Sequence, residues 1–123
     1  MILKKILLLG DSIRMGYEKY VRMAFDGQAQ VYAPTDNCRF TQYLLRHLIE
    51  WQEVTGCGSD VDVVHWNAGA WDVLRLADGE PQTPLAHYTY YLERICRYLK
   101  TLYPKAVQIF STSTKVVEAR YTG

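Results

Sequence analysis

The stretch Lys4-Lys5-Ile6-Leu7-Leu8-Leu9-Gly10-Asp11-Ser12-Ile13-Arg14 decides the fold. Its aliphatic run stops abruptly in Gly-Asp-Ser, and a short apolar run bounded by a turn signal reads as a buried parallel strand. The residues that follow have helical spacing. Ile13, Tyr17, Tyr20, Val21 and Ala24 share one face, and Arg14, Glu18, Lys19 and Arg22 share the other. Ser12 therefore falls at the carboxyl end of a strand and at the amino end of a helix. Open α/β sheets place their ligands at that edge, and the helix end offers free N–H groups and positive potential to an anion. Two roles are open here. Ser12 is an exposed nucleophile whose own N–H helps to hold an oxyanion, or Asp11 and Ser12 simply cap the helix.

Working outward, strand and helix alternate. Ala29 to Ala33 is a short strand ending at Pro34, and Asn37 is a cap for a helix from Cys38 to about Val54, with Phe40, Leu44, Leu48 and Trp51 as its apolar stripe. Gly56-Cys57-Gly58-Ser59 breaks that helix. Val61 to Trp66 is a third strand, followed by the loop Asn67-Ala68-Gly69-Ala70-Trp71-Asp72 and a turn at Asp78-Gly79-Glu80-Pro81. Pro84 to Tyr103 carries Tyr88, Leu92, Ile95, Leu99 and Leu102 at alternating spacings of four and three, and Ala106 to Phe110 is the fourth strand. Such alternation implies an α/β domain with a parallel sheet covered on both faces and joined by right-handed crossovers, in the strand order 2-1-3-4.

Composition narrows the function classes. The chain has 123 residues, 49% hydrophobic and 22% charged, with a formal net charge of +1, which describes a single soluble domain spanning 1–123. That charge balance leaves no footprint for nucleic acid and no basic helix for a membrane surface. Ile6 to Leu9 is too short for a signal-peptide core, so the expected location is cytoplasmic. The three cysteines, Cys38, Cys57 and Cys96, form no Cys-x-x-Cys pair and point to free thiols in a reducing compartment, with no metal site.

In the expected sheet, the loops after the four strands converge on one rim. They contain Asp11-Ser12, Thr35-Asp36-Asn37, Asn67-Ala68-Gly69 and Ser111-Thr112-Ser113-Thr114, all small and polar, as suits a site built from loops on a rigid scaffold. Loops of this kind are also polar without any function.

Gly10-Asp11-Ser12-Ile13-Arg14 on the first strand, paired with Asn67-x-Gly69-x-Trp71-Asp72 after the third, resembles the GDSL/SGNH hydrolase superfamily, in particular a branch that includes the PC-esterase-like proteins. The resemblance runs along essentially the whole chain. It implies a flavodoxin-like three-layer sandwich and acyl or acetyl esterase activity. It makes Ser12 the nucleophile, with an oxyanion hole from the Ser12 N–H and from the loops after the second and third strands. Asp11, Arg14, Trp71 and Asp72 are its supporting residues. The superfamily's third block is Gly-x-Asn-Asp, and here Trp71 stands at the Asn position, which makes Asn67 the replacement donor beside the Gly69 N–H. The second block normally offers a glycine. This loop has none, and Asn37, in Asp36-Asn37-Cys38-Arg39-Phe40-Thr41, is the nearest polar substitute.

The superfamily's Asp-x-x-His, its base and orienting carboxylate, follows a fifth strand. The sequence has no such block after its fourth strand, so the resemblance predicts a C-terminally truncated domain with the fifth strand missing. That leaves the strand Ala106 to Phe110 as an exposed sheet edge, and since parallel sheets need protected edges it predicts a homodimer through that edge, or exchange of the segment Ser111 to Gly123 between chains. The literal Asp62-Val63-Val64-His65 lies within a strand, where positions three apart point to opposite faces, and it is not read as the catalytic pair. His47 and His87 are read as structural or solvated. Arg14 meets an anionic substrate group, tethers the Asn37 loop or lies exposed on its helix. Asp72 caps a helix containing Val73, Leu74 and Leu76, or pairs with Arg75 or Arg14. Trp71 and the tyrosines form a sugar-stacking wall or core.

Two functions follow. One is a serine ester hydrolase acting on a small acyl ester, such as an acetylated carbohydrate, and needing no cofactor because nucleophile, base and donors suffice. The alternative is a truncated or degenerate domain that binds a ligand or partner without efficient hydrolysis. A phosphate or flavin binder is weaker still, since there is no Gly-x-Gly-x-x-Gly, P-loop or Asp-x-Asp motif after the first strand.

Overall fold

The run Leu7-Leu8-Leu9 forms the centre of the sheet, each residue at most 2% exposed, because a parallel strand with neighbours on both sides is buried on both faces. The computed structural model describes residues 3–112. Their elements are β1 (Lys4–Leu9), α1 (Ser12–Ala24), β2 (Ala29–Tyr32), α2 (Thr41–Thr55), β3 (Val63–Trp66), α3 (Leu85–Leu102) and β4 (Val107–Phe110). The four strands make one sheet in the order β2-β1-β3-β4, and every pairing is parallel. This is the expected α/β arrangement with its 2-1-3-4 order, and four strands are what the described residues contain.

Alternation along each strand sorts the two faces. Leu7, Leu9, Val64 and Trp66 face α2 and α3 and pack with Leu44, Leu48, Trp51, Ile95 and Leu99 into the core. Of the stripes read from the two long helices, Leu44, Leu48, Trp51, Ile95 and Leu99 are buried, Tyr88, Leu92 and Leu102 are half-buried, and Phe40 is half-buried just ahead of α2. The opposite face carries Ile6, Leu8, Val63, His65 and Ile109, and α1 covers only part of it. Tyr17, Val21 and Phe25 line a groove of about 430 Å³ against those strand residues. Val107 and Ile109 on β4 remain 62% and 46% exposed. Among the described residues β4 pairs only with β3, so its outer edge is open. No helix of the described residues is long and apolar enough to cross a membrane.

Several local expectations are corrected. The residue of α1 that is completely buried is Arg14, which the periodicity placed on the solvent face, while Tyr20 on the expected apolar face is 60% exposed. The reason is that the first turn of α1 abuts the loop after β2, which gives Arg14 polar partners, whereas the sheet beneath the rest of α1 is incompletely covered. Helix α2 begins at Thr41, not Cys38, because the Cys38 N–H donates to the Gly10 carbonyl (3.0 Å) and extends the β1–β2 seam. Asn37 is accordingly no helix cap. Its Oδ1 accepts from the Arg39 N–H at 2.8 Å within the loop. Residues Val73 to Leu76 form no helix. They turn back through an antiparallel bridge between Arg75 and Pro81, and the Leu76 N–H donates to the Glu80 carbonyl. Ser113 and Thr114 of the fourth loop, and the exchange segment from residue 113 onward, lie outside the described residues.

Candidate active site

The carboxyl rim is assembled by continuing the strand ladder into the loops. The Asn67 N–H donates to the Leu9 carbonyl (3.1 Å), the Ser111 N–H to the Trp66 carbonyl (2.9 Å) and the Cys38 N–H to the Gly10 carbonyl (3.0 Å). The loops after β2, β3 and β4 are thereby brought beside Gly10-Asp11-Ser12. Gly10 is required by this closeness. A β-carbon there would lie 2.0 Å from the Asn67 Oδ1 and 2.7 Å from the Arg14 β-carbon.

Asp11 is the N-cap of α1, its Oδ1 accepting from the Ile13 N–H at 3.0 Å. The same oxygen accepts from the Asn67 Nδ2 at 3.2 Å. Both side chains are nearly inaccessible, and the second oxygen of Asp11 and the Asn67 Oδ1 find no partner among the described residues. Asn67 thus sits behind the Gly-Asp-Ser turn, with its amide held on Asp11. Ser12 is the first helical residue and is exposed. The first N–H groups of a helix have no partner within it. The Ser12 N–H makes no hydrogen bond among the described residues, and neither does the N–H of buried Gly69. Ser12, Ile13, Ala70, Trp71 and Leu74 line a pocket of about 160 Å³. The larger groove under α1 contains no residue of the Gly-Asp-Ser turn, so the chemistry favours the smaller cavity.

Arg14 holds the floor of this rim. Its guanidinium donates to the carbonyls of Gly10 (3.3 and 3.2 Å), Pro34 (2.8 Å) and Asp36 (2.5 Å), and it pairs with Glu18 at 2.8 Å. Of the three roles open to it, the tether to the Asn37 loop is the one its contacts describe, and its complete burial removes it from solvent. Beside it lies the Cys38 thiol, which burial pushes up to about 11 against the opposing influence of the Arg14 charge. That thiol is inert at neutral pH.

Asp72 is buried, and its carboxylate accepts from the Thr41 N–H (3.2 and 3.3 Å) and the Thr41 hydroxyl (2.7 Å). It caps α2 from a loop 31 residues away, not a helix of its own, and it pairs with neither Arg75 nor Arg14. Trp71 lies at the rim with its ring 6.4 Å from Phe40, and Phe40 lies 6.2 Å from Tyr43. This wall includes two residues, Arg39 and Tyr43, that sequence reasoning did not single out. Arg39 adopts φ 56°, the one left-handed non-glycine backbone among the described residues. An arginine is not a residue whose presence announces that conformation.

None of the chain's three histidines is hydrogen-bonded to Ser12 among the described residues. His65 points to the α1 face, its Nδ1 3.2 Å from the Tyr17 hydroxyl, and burial lowers its pKa. Asp62 lies three residues earlier, its carboxylate accepting from the Lys5 N–H (2.9 Å) and pairing with Lys105 (3.3 Å), so it does not back His65. His47 stacks between Tyr43 and Trp51 on α2, and His87 is exposed in the first turn of α3. No protein-family model matches the chain, and no curated protein matches it.

Proposed function

We propose that this chain is a serine ester hydrolase of the GDSL/SGNH type, with Ser12 as nucleophile. The observation that carries the reading is Ser12 itself. It is an exposed hydroxyl on the first residue of a helix, at the carboxyl end of a central parallel strand, with its own N–H unengaged beside a small apolar pocket. The Ser12 hydroxyl adds to the acyl carbonyl carbon and passes its proton to a base. The tetrahedral oxyanion is held by the Ser12 and Gly69 N–H groups. Its collapse breaks the bond to the alcohol, which leaves with a proton, and water then releases the acid from Ser12. The pocket volume suits a small acyl group such as acetyl, and the Trp71–Phe40 wall suits a carbohydrate alcohol. Asn37 remains a candidate side-chain donor. Asn67 serves first by bracing Asp11, and donates to the oxyanion only if that bond is exchanged.

The position of the histidines favours a second reading. His65 is bonded to Tyr17, His47 is stacked on α2 and His87 is exposed in the first turn of α3; where none of the three serves as base, the domain binds a ligand or partner without efficient hydrolysis. The two readings divide on one experiment. A fluorophosphonate should label Ser12, located by peptide mass spectrometry, and Ser12→Ala should abolish turnover of an acetyl ester. Oxyanion donors and binding alone leave about a thousandfold acceleration over water whichever triad member is lacking, so the turnover that Ser12→Ala abolishes is the part above that level. Turnover unaltered in Ser12→Ala ends the hydrolase reading. Binding of acetate or sulfate beside Ser12 without labelling or turnover selects the second.

A further inference from the structure

We propose that Arg39 recognises an anionic group, a carboxylate or similar oxyanion, on the ester bound at Ser12; this rests on the hydrolase reading and extends it to the class of substrate. Four of the six other described arginines have donors engaged, while Arg94 and Arg97 have no carboxylate or carbonyl partner among the described residues and lie over no ring. Arg14 serves three carbonyls and Glu18, Arg22 and Arg46 pair with Glu18 and Glu50, and Arg75 donates to the Gly79 carbonyl. Arg39 differs. Among the described residues its guanidinium has no carboxylate or carbonyl partner and instead lies over two rings, 4.7 Å from the centroid of Tyr43 and 5.9 Å from that of Trp71. Stacking uses the face of a guanidinium and leaves its in-plane N–H donors available, in the fork that matches a carboxylate.

The platform beneath it is fixed. The Tyr43 hydroxyl donates to the Asp36 carboxylate, which is therefore engaged by Tyr43 and not by Arg39, and the Tyr43 ring stacks on His47 at 4.1 Å. The backbone is also fixed, since the Arg39 N–H is held by the Asn37 Oδ1 and the carbonyl of Asp36 by Arg14. At φ 56° an arginine carries strain that glycine or asparagine does not, so the backbone gives no reason for this residue type. The link to the reaction is Trp71, whose ring lies beneath Arg39 and also lines the Ser12 pocket with Ile13 and Leu74. An ester with its acyl carbonyl at Ser12 and its apolar body on Trp71, Ile13 and Leu74 would bring an anionic substituent to the Arg39 donors. The substrate class is thus an amphiphilic acyl ester carrying an oxyanion.

The test uses two stable amide analogues of such an ester, 4-acetamidobenzoate and its methyl ester. Their binding to the whole chain is measured by calorimetry, with the Arg39 Nε–H resonance followed by NMR. The carboxylate is expected to bind about tenfold more tightly than the methyl ester, the low end for a charge-assisted hydrogen bond near solvent, with the advantage shrinking as salt rises. It should also shift the Arg39 Nε–H resonance. In Arg39→Asn, which removes the charge but accepts a left-handed backbone, the ratio of the two affinities should fall to about one. Arg39→Lys, charged but without the planar fork, should keep part of the ratio, and the remote Arg46→Gln should keep all of it. Equal affinities in the unmodified protein, binding of neither ligand at millimolar concentration, or a ratio that survives Arg39→Asn would each overturn the assignment. Those outcomes leave fluorophosphonate labelling of Ser12 untouched. Failure of Ser12 labelling and of the Ser12→Ala assay would in turn remove the hydrolase reading while the affinity ratio still reports on Arg39.

Discussion

Replacing Arg14 by methionine removes the one fully buried cation of the described residues while nearly conserving side-chain length. Three carbonyls lose a donor, but not equally. The Gly10 carbonyl still accepts from the Cys38 N–H, whereas those of Pro34 and Asp36 have no other donor among the described residues. Each orphaned buried acceptor costs about 1–3 kcal/mol, and Glu18 keeps a partner in Arg22. Against this stands the relief of returning a buried charge to water in the unfolded comparison, worth several kcal/mol in the opposite direction when partners are poor. With four partners in place the guanidinium is well compensated, so the net destabilisation expected for Arg14→Met is about 3 kcal/mol. Arg14→Lys keeps the charge, but one ammonium cannot reach Pro34, Asp36 and Glu18 together, and about half that loss is expected. Urea unfolding followed by far-ultraviolet circular dichroism reads both values, with an unchanged m-value as the check that the native state is intact. If Arg14→Met unfolds within about 0.5 kcal/mol of the parent, the size of an ordinary surface substitution, Arg14 is not the tether described here.

Asp72→Ala should destabilise by about 2–3 kcal/mol in the same assay, since it uncaps α2 and orphans the Thr41 hydroxyl, while Asp72→Asn, which keeps an acceptor, should lose less. Gly10→Ala should be poorly tolerated, losing more than about 3 kcal/mol or failing to fold, because its new methyl meets Asn67 and Arg14; wild-type stability would refute the close approach. Burial lowers the pKa of His65, so the unfolded chain takes up the proton first, and stability should fall as pH drops below the unfolded value of about 6.5 and level off below the folded value. A melting curve series from pH 8 to 5 should show this step, and His65→Gln should flatten it. We further propose that the open edge of β4 supports a homodimer, so light scattering should show mass rising with concentration and Ile109→Lys restoring the monomer; a monomer at every concentration would contradict it.

What the sequence determined by itself was everything carried by spacing along the chain. Strands with aliphatic runs, helices with apolar residues three and four apart, and their alternation led to a parallel sheet in the order β2-β1-β3-β4, with Ser12 at the junction of β1 and α1. These properties are legible because the periods of a strand and a helix belong to the backbone and repeat within a few residues. Element ends were less legible. The start of α2 moved from Cys38 to Thr41 because a bond to Gly10, 28 positions earlier, holds Cys38 in extended pairing. Asp72 read as a cap for its own segment or a partner of Arg75 or Arg14 and proved to cap α2, while Arg14, left open between substrate contact, tether and exposed residue, proved to be the tether and the most enclosed charge. In the same way Arg39 looked like one more loop arginine until the fold set it over Tyr43 and Trp71. All four depend on which loops the topology brings together at the carboxyl rim. A buried polar group is tolerated only where its partners are, and those partners come from segments whose distance along the chain carries no periodic signal.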